Sequence, residues 1–175
     1  MSTPVLQRAQ QRAGALGAGG YAAVLAFLVL ALAGVVGLGL SKPWLFPSLG
    51  PTVMLFFESP EEESSRPRNT LVGHLVGIAV GWGLLHLFRL QGLPPAPVGG
   101  LTGRHVLAGA LSVALTSLVL VAIKHKHPPA GASTLIVSLG ILSSPVEVLT
   151  MVLAVVLVTV VGWTLNVLLG QRPSA

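Results

Sequence analysis

An octet of polar and small residues, His127 to Thr134, has the residue types and spacing most suited to contacting a ligand. Proline suits the first turn of a helix, because the N–H it lacks would have been unpaired there. Glycine lets a ligand or a backbone approach closely, and the hydroxyls can hydrogen-bond. Free N–H groups and the helix dipole favour an anion at such a start. The octet therefore predicts a helix start that contacts a small anion through His127, Pro128, Pro129, Gly131, Ser133 and Thr134.

A second segment repeats this pattern earlier in the chain. Pro47 to Thr52 and Pro128 to Ser133 both read Pro-x-x-Gly-x-Ser/Thr, at an offset of 128 − 47 = 81 residues. Val80-Gly81-Trp82 recurs as Val161-Gly162-Trp163 at the same offset. The shared offset predicts an internal duplication, with halves at about 20–90 and 102–170. Gly50 and Thr52 of the first segment then become candidate substrate-pathway residues beside those of the octet.

Three of the polar residues between the two motifs are further candidates for the pathway. Arg68 and Asn69 directly precede a long apolar run, and His74 lies about one turn inside that run. Arg68 is suited to attract an anion or to pair with nearby glutamates. An ionisable group inside a membrane span is costly and usually faces protein or water, and histidine changes charge near neutral pH. His74 therefore has two interpretations, a role in a proton or substrate pathway and a role in packing.

Composition excludes several classes of function. The chain contains no Cys and no Asp, and its five Glu all lie in links between apolar runs, so we expect no catalytic residues, no metal site and no cofactor. The lysines among His125 and His127 disfavour a metal cation. The net charge of +5 comes from basic residues in short links, so we expect lipid headgroups and not nucleic acid as the partner. Only 9% of residues are charged, against about a quarter in soluble domains.

The elements that must position these motifs are apolar runs long enough to cross a bilayer. A span needs roughly twenty apolar residues, and four runs come near that length: 21–40, 70–87, 105–123 and 148–169. Two shorter runs, 44–57 and 130–142, have proline and glycine at or near their starts. We expect an all-α polytopic bundle of four long spans and two short helices. It is flanked by a polar cytoplasmic segment at 1–19 and a tail at 171–175, with the transmembrane domain at 20–170.

The short helices either cross the membrane or re-enter it. Crossing gives each half three passages and makes the halves inverted, whereas re-entry makes them parallel. Six crossings from a cytoplasmic N-terminus place seven basic residues inside and three outside, and four crossings place five on each side. Because cytoplasmic loops carry the excess of Lys and Arg, we favour the inverted repeat. The seven are Arg8, Arg12, Arg66, Arg68, Lys124, Lys126 and Arg172.

Three motifs in this order resemble the HPP family of integral membrane proteins. The family's His-Pro-Pro tripeptide corresponds to His127-Pro128-Pro129, and further similar stretches begin at Pro67 and Phe46. The first motif departs from the family's Gly-Ala-Ser and reads Gly50-Pro51-Thr52. The resemblance covers about residues 20 to 170. It implies four transmembrane helices and a transport function that has been linked to nitrite in some relatives.

Together these features predict a membrane transporter or channel-like protein for a small anion, nitrite if the resemblance extends to the substrate. The alternative is a non-transporting scaffold or partner subunit. We expect an integral protein of the bacterial inner membrane with a cytoplasmic N-terminus. Its small size favours a homo-oligomer, because a bundle of this size has little room for a pore of its own.

Overall fold

The computed structural model describes residues 3–171, and the helices below refer to that part of the chain. Residues 1–2 and 172–175, which include Arg172 and most of the expected tail, lie outside the described residues. The described part is helical and without strands. Its helices are α1 (Val5–Leu40), α2 (Leu49–Glu58), α3 (Pro67–Leu87), α4 (Ala96–Gly99), α5 (Gly103–Ala122), α6 (Ala130–Ser138) and α7 (Pro145–Leu168), with a 3₁₀ turn at Glu63–Ser65.

Four of these helices, α1, α3, α5 and α7, are long and apolar enough to cross a bilayer. Their outward faces carry large apolar side chains, such as Phe27, Leu118 and Val160, each more than half exposed. A soluble protein rarely exposes so large a contiguous apolar surface. The all-α bundle with four long spans and two short helices is thus confirmed, and its apolar outer surface suits lipid.

In the first half of the chain, α2 runs antiparallel to α1, and α3 runs in the same direction as α1. The rings of Tyr21 and Phe57 meet edge to face at 6.5 Å, and Gly34 lies beside Leu45, so α2 runs antiparallel to α1. The hydroxyl proton of Ser65 is shared between two carbonyls at the end of α2, those of Ser59 at 2.6 Å and Leu55 at 2.9 Å, which places the start of α3 beside the end of α2. The short helix α2 therefore carries the chain back towards the face from which α1 departs.

The second half runs in the opposite sense. Arg104 donates to the Phe88 carbonyl at 3.3 Å, and the side chain of Asn69 donates to the Lys126 carbonyl at 3.4 Å. Thus α5 begins where α3 ends and returns to where α3 begins. The indole N–H of Trp163 donates to a carbonyl directly before α3, at Ser65, so α7 also ends at that face.

The packing of α6 completes the inverted arrangement. Gly73, Gly77 and Gly81 of α3 lie against successive residues from His127 to Ser138, so α6 runs parallel to α3. The boundaries repeat as well, since α6 starts 130 − 49 = 81 residues after α2 and α7 ends 168 − 87 = 81 residues after α3. The predicted internal repeat is therefore present, and its second half is inverted.

The two ends of the bundle hold different charged residues. We call the end that holds Arg66, Arg68, Lys124 and Lys126 the basic face, after its Lys and Arg residues; Glu58, Glu61, Glu62 and Glu63 lie at the same end. The opposite face holds Lys42, Arg89, Arg104 and Glu147. Helices α2, α5 and α7 end at the basic face, whereas α1, α3 and α6 end at the opposite face. Over residues 3–171 the chain thus passes between the two ends of the bundle six times, with α2 and α6 making short passages.

The N-terminal segment differs from the sequence interpretation in its local structure. Helix α1 starts at Val5, well before the apolar run, and is interrupted at Ala13 and Gly14, where Gly14 takes a positive φ of 56°. The backbone turns so sharply there that a Cβ on Gly17 would collide with the Ala9 carbonyl. Residues of the predicted polar segment therefore form a short helix folded back against the long span.

Candidate functional site

His74 lies at the centre of a buried polar cluster inside the bundle. Its Nε2 is 2.9 Å from the hydroxyl of Thr52, and its Nδ1 is 2.6 Å from the hydroxyl of Ser133. The Nε2 of His127 lies 3.2 Å from the same Nε2 of His74, with the two rings edge to face at 4.8 Å. Thr52 and Ser133 occupy equivalent positions of the repeat, since 133 − 52 = 81. The two halves thus place matching hydroxyls on the two nitrogens of one imidazole.

We call these four residues, Thr52, His74, His127 and Ser133, the histidine cluster. Their side chains are 98% or more buried. Thr52 is in the first turn of α2 and Ser133 is in the first turn of α6, so two helix starts converge on α3. His74 lies seven residues after the start of α3, about 10 Å along the helix at 1.5 Å per residue. The cluster is therefore well below the basic face.

The hydrogen-bond partners define which nitrogens carry protons. The Thr52 hydroxyl donates to the Ser48 carbonyl at 2.9 Å and must accept from Nε2–H of His74. The Nδ1 of His127 faces the Ser64 carbonyl at 2.8 Å, and a carbonyl can only accept, so this nitrogen also carries a proton. In the neutral rings, Nδ1 of His74 accepts from the Ser133 hydroxyl. The single Nε2 proton of His74 is shared between two acceptors, the Thr52 hydroxyl at 2.9 Å and Nε2 of His127 at 3.2 Å.

Both histidines are thus fully hydrogen-bonded without a charge. Such satisfaction is what allows polar groups to be buried, because an unpaired one costs about 1–3 kcal/mol. His74 therefore also has a structural role, because its hydrogen bonds join α3 to Thr52 of α2 and to Ser133 of α6. The same geometry also forms a continuous chain of donors and acceptors from Ser133 through His74 to His127.

The backbone N–H groups at the start of α6 are not free, contrary to the basis of the anion-binding hypothesis. Pro128 and Pro129 have no N–H, and those of Ala130, Gly131 and Ala132 donate to the carbonyls of residues 127–129 at 3.0–3.1 Å. A tight turn before the helix therefore satisfies the donors that sequence reasoning left open. An anion at this helix start would need side-chain donors as well as the dipole.

The structure separates other predicted pathway residues from the cluster. Arg68 is exposed on the first turn of α3. Asn69 is buried, and its amide donates to the carbonyls of Glu63 and Lys126, so it ties the His-Pro-Pro segment to the start of α3. Thr134 packs its backbone against Gly77 and Gly81, and its buried hydroxyl has no hydrogen-bond partner among the described residues.

The two motif glycines face away from His74. A Cβ on either Gly50 or Gly131 would meet no atom within 4 Å, and each glycine lines a surface cavity. Pro128 is exposed at the rim of the cavity beside Gly131, and Pro129 is buried directly before α6. In each motif the hydroxyl residue, Thr52 or Ser133, contacts His74, whereas the glycine two residues earlier, Gly50 or Gly131, faces a surface cavity.

Sequence reasoning missed the backbone acceptors of the cluster. The carbonyls of Ser48 and Ser64 orient Thr52 and His127, yet no side-chain pattern marks a carbonyl. The pairing of His74 with His127 also required the relative placement of the two halves. Within the described residues, no group of three or more His, Asp or Glu side chains could hold a metal ion.

The fold and the cluster define a helical membrane protein built from an inverted repeat around a buried histidine pair. The chain belongs to the family described as HPP, transmembrane region, whose family model matches residues 11–174. No curated protein and no solved structure matches the chain.

Proposed function

We propose that the protein carries a small monovalent anion across the membrane together with a proton, and that the histidine cluster handles the proton. The observation that carries this proposal is the buried pair of neutral histidines, with His74 bonded on both nitrogens to repeat-equivalent hydroxyls. Nitrite is the first anion to test, because the family resemblance suggests it. The proposal gives the cluster no catalytic role.

The hydrogen-bond chain supplies a route for the proton. The Ser133 hydroxyl gives its proton to Nδ1 of His74 and takes up a proton from a water molecule entering the pathway, and the Nε2 proton of His74 then passes to Nε2 of His127. His127 then holds protons on both nitrogens, one of them directed at the Ser64 carbonyl. His74 is neutral again with its proton on Nδ1. The charge has moved by one residue towards the basic face, and each bond broken is matched by one formed.

The charge balance favours an anion as the transported species. No hydrogen bond within the described residues joins a carboxylate to His74 or His127, and the protein has no Asp at all. A buried charge without a partner is costly. A protonated His127 would therefore be stabilised by a substrate of opposite charge, and the loaded site would be neutral overall.

Proteoliposome flux tests the proposal. We expect nitrite uptake to increase when the proton concentration is higher on the side of uptake, and His74→Gln to abolish this dependence. His86→Gln is the matched control, because His86 is an exposed histidine at the end of the same helix. Absence of flux for nitrite and other small anions, with co-purification of a second protein, would favour the scaffold function instead. Flux with an unchanged proton dependence in His74→Gln would remove the cluster from the mechanism.

A further inference from the structure

A partly open cleft of about 300 Å³ lies between α5 and the start of α6, near the basic face. Its polar lining is Thr116, Ser117, Lys126 and His127, and Gly131 leaves the wall of α6 without a side chain. We call this space the α5–α6 cleft. His127 forms part of its wall and also belongs to the histidine cluster, so one residue connects the cleft to the proposed proton route.

The wall of the cleft contains a hydroxyl without a partner. Thr116 is only 2% exposed, and its Oγ1 has no hydrogen-bond partner among the described residues. A threonine in a helix commonly satisfies its hydroxyl on a carbonyl four residues earlier, as Thr150 and Thr159 do here. Thr116 does not, although burying an unpaired hydroxyl is unfavourable. The hydroxyl has no accessible surface in this rotamer, so rotation about χ1 is needed for it to donate a hydrogen bond to a ligand in the cleft.

The inverted repeat supplies an internal comparison for this cleft. The equivalent space between α1 and the start of α2 has a volume of about 490 Å³ and is lined by Leu45, Phe46, Pro47 and Gly50. Leu45 and Phe46 stand 81 residues before Lys126 and His127. Repeat geometry therefore accounts for the cavity and its glycine, but not for the charge of Lys126 and the imidazole ring of His127, which line the α5–α6 cleft and have no counterpart in the equivalent space.

We propose that the α5–α6 cleft is the site at which a small monovalent oxyanion binds from the basic face. The Lys126 ammonium attracts the anion, and the Thr116 hydroxyl donates a hydrogen bond to it. The open position at Gly131 provides room beside the helix start. The inference rests on the proposed function, because the bound anion would lie against His127, where the transferred proton arrives.

Nitrite binding and nitrite flux on the purified full-length protein test the assignment separately. Binding is measured in detergent as the nitrite-dependent rise in unfolding temperature, since a ligand that prefers the folded state stabilises it. We expect Lys126→Gln to weaken nitrite binding and to raise the KM for uptake roughly tenfold, as loss of a charge-assisted contact would. Thr116→Val keeps the shape of the side chain and should raise the KM about fivefold. In both variants the maximal rate should stay near that of the unmodified protein.

Lys124→Gln is the matched control, because Lys124 is an exposed lysine in the same link and does not line the cleft. If the unmodified protein transports nitrite while Lys126→Gln and Thr116→Val retain its KM, the cleft assignment is wrong and the proposed function stands. If neither nitrite nor any other small anion tested binds or crosses, both fail. Stabilisation by phosphatidylglycerol that requires Lys126 and Thr116, without any by nitrite, would overturn the assignment in favour of a lipid phosphate.

Discussion

Ser133 is the residue at which loss of a single hydroxyl has the clearest expected consequence. Ser133→Ala removes the donor to Nδ1 of His74 and leaves that nitrogen buried without a partner. We expect the free energy of unfolding to fall by about 1–3 kcal/mol, because an unsatisfied buried acceptor keeps its desolvation cost. Unfolding in mixed detergent micelles with increasing dodecyl sulfate measures the change.

The control for this variant is Ser64→Ala. The Ser64 hydroxyl makes an exposed contact with Glu62, and its carbonyl, which serves His127, is kept in the alanine variant. We expect a change of no more than about 0.5 kcal/mol, as is usual for surface substitutions. Equal destabilisation by the two variants would mean that the hydrogen bond to His74 contributes nothing measurable.

The sequence predicted the members of the histidine cluster better than their arrangement. Thr52 and Ser133 were paired by the offset of 81, and His74 was singled out as an ionisable group within a span. That both hydroxyls contact the same imidazole depends on how the halves pack, which a pattern within one half does not encode. Arg68 shows the converse, since its charge suggested a pathway role while its position on α3 leaves it exposed.

At the scale of elements, the closest packing is between α3 and α6. A Cβ added at Gly77 would lie 2.6 Å from the Ala130 carbonyl oxygen, and one at Gly81 would lie 2.6 Å from that of Thr134. Carbonyl oxygens belong to the backbone and cannot turn aside as a flexible side chain can. Because these glycines have no side chain, α6 packs close enough to α3 for the Ser133 hydroxyl to reach His74.

Gly77→Ala should push α3 and α6 apart. We expect a loss of about 1–3 kcal/mol in the free energy of unfolding, typical of overpacking, and lower uptake because the hydrogen bond between Ser133 and His74 lengthens. Gly83→Ala is the control on the same helix, since a Cβ there would meet no atom within 4 Å. The control should be neutral or slightly stabilising, because alanine favours a helix more than glycine does. A destabilised Gly83→Ala, or an unaffected Gly77→Ala, would contradict this packing argument.

The elements themselves were largely predictable from composition. Apolar runs predicted the long helices, and the paired Pro/Gly starts predicted that the two short runs form helices. The chain around Gly14 was not predictable in this way, because the polar residues before the apolar run gave no sign of a helix folded back on α1. Helix α4 was also missed, since four residues are too few to show a periodicity.

At the scale of the whole molecule, the repeat is more regular in backbone than in chemistry. Val155 occupies the position equivalent to His74, and Phe46 occupies the position equivalent to His127, at the offset of 81. An apolar pair thus stands where the inverted repeat would place a second pair of histidines. The polar chemistry is concentrated in one of two related sites, which gives the two faces of the protein different properties despite their similar architecture.

The number of crossings can be tested on the whole molecule because the chain has no native cysteine. Lys42→Cys and Glu61→Cys flank α2, so they lie on opposite faces if α2 crosses and on the same face if α2 re-enters. We expect a membrane-impermeant maleimide to label one variant in intact cells and the other only after permeabilisation. By the excess of Lys and Arg on the basic face, Glu61→Cys should be the protected one. Labelling of both from the same side would refute the six-crossing inverted repeat, and with it the convergence of the starts of α2 and α6 on α3 from opposite faces.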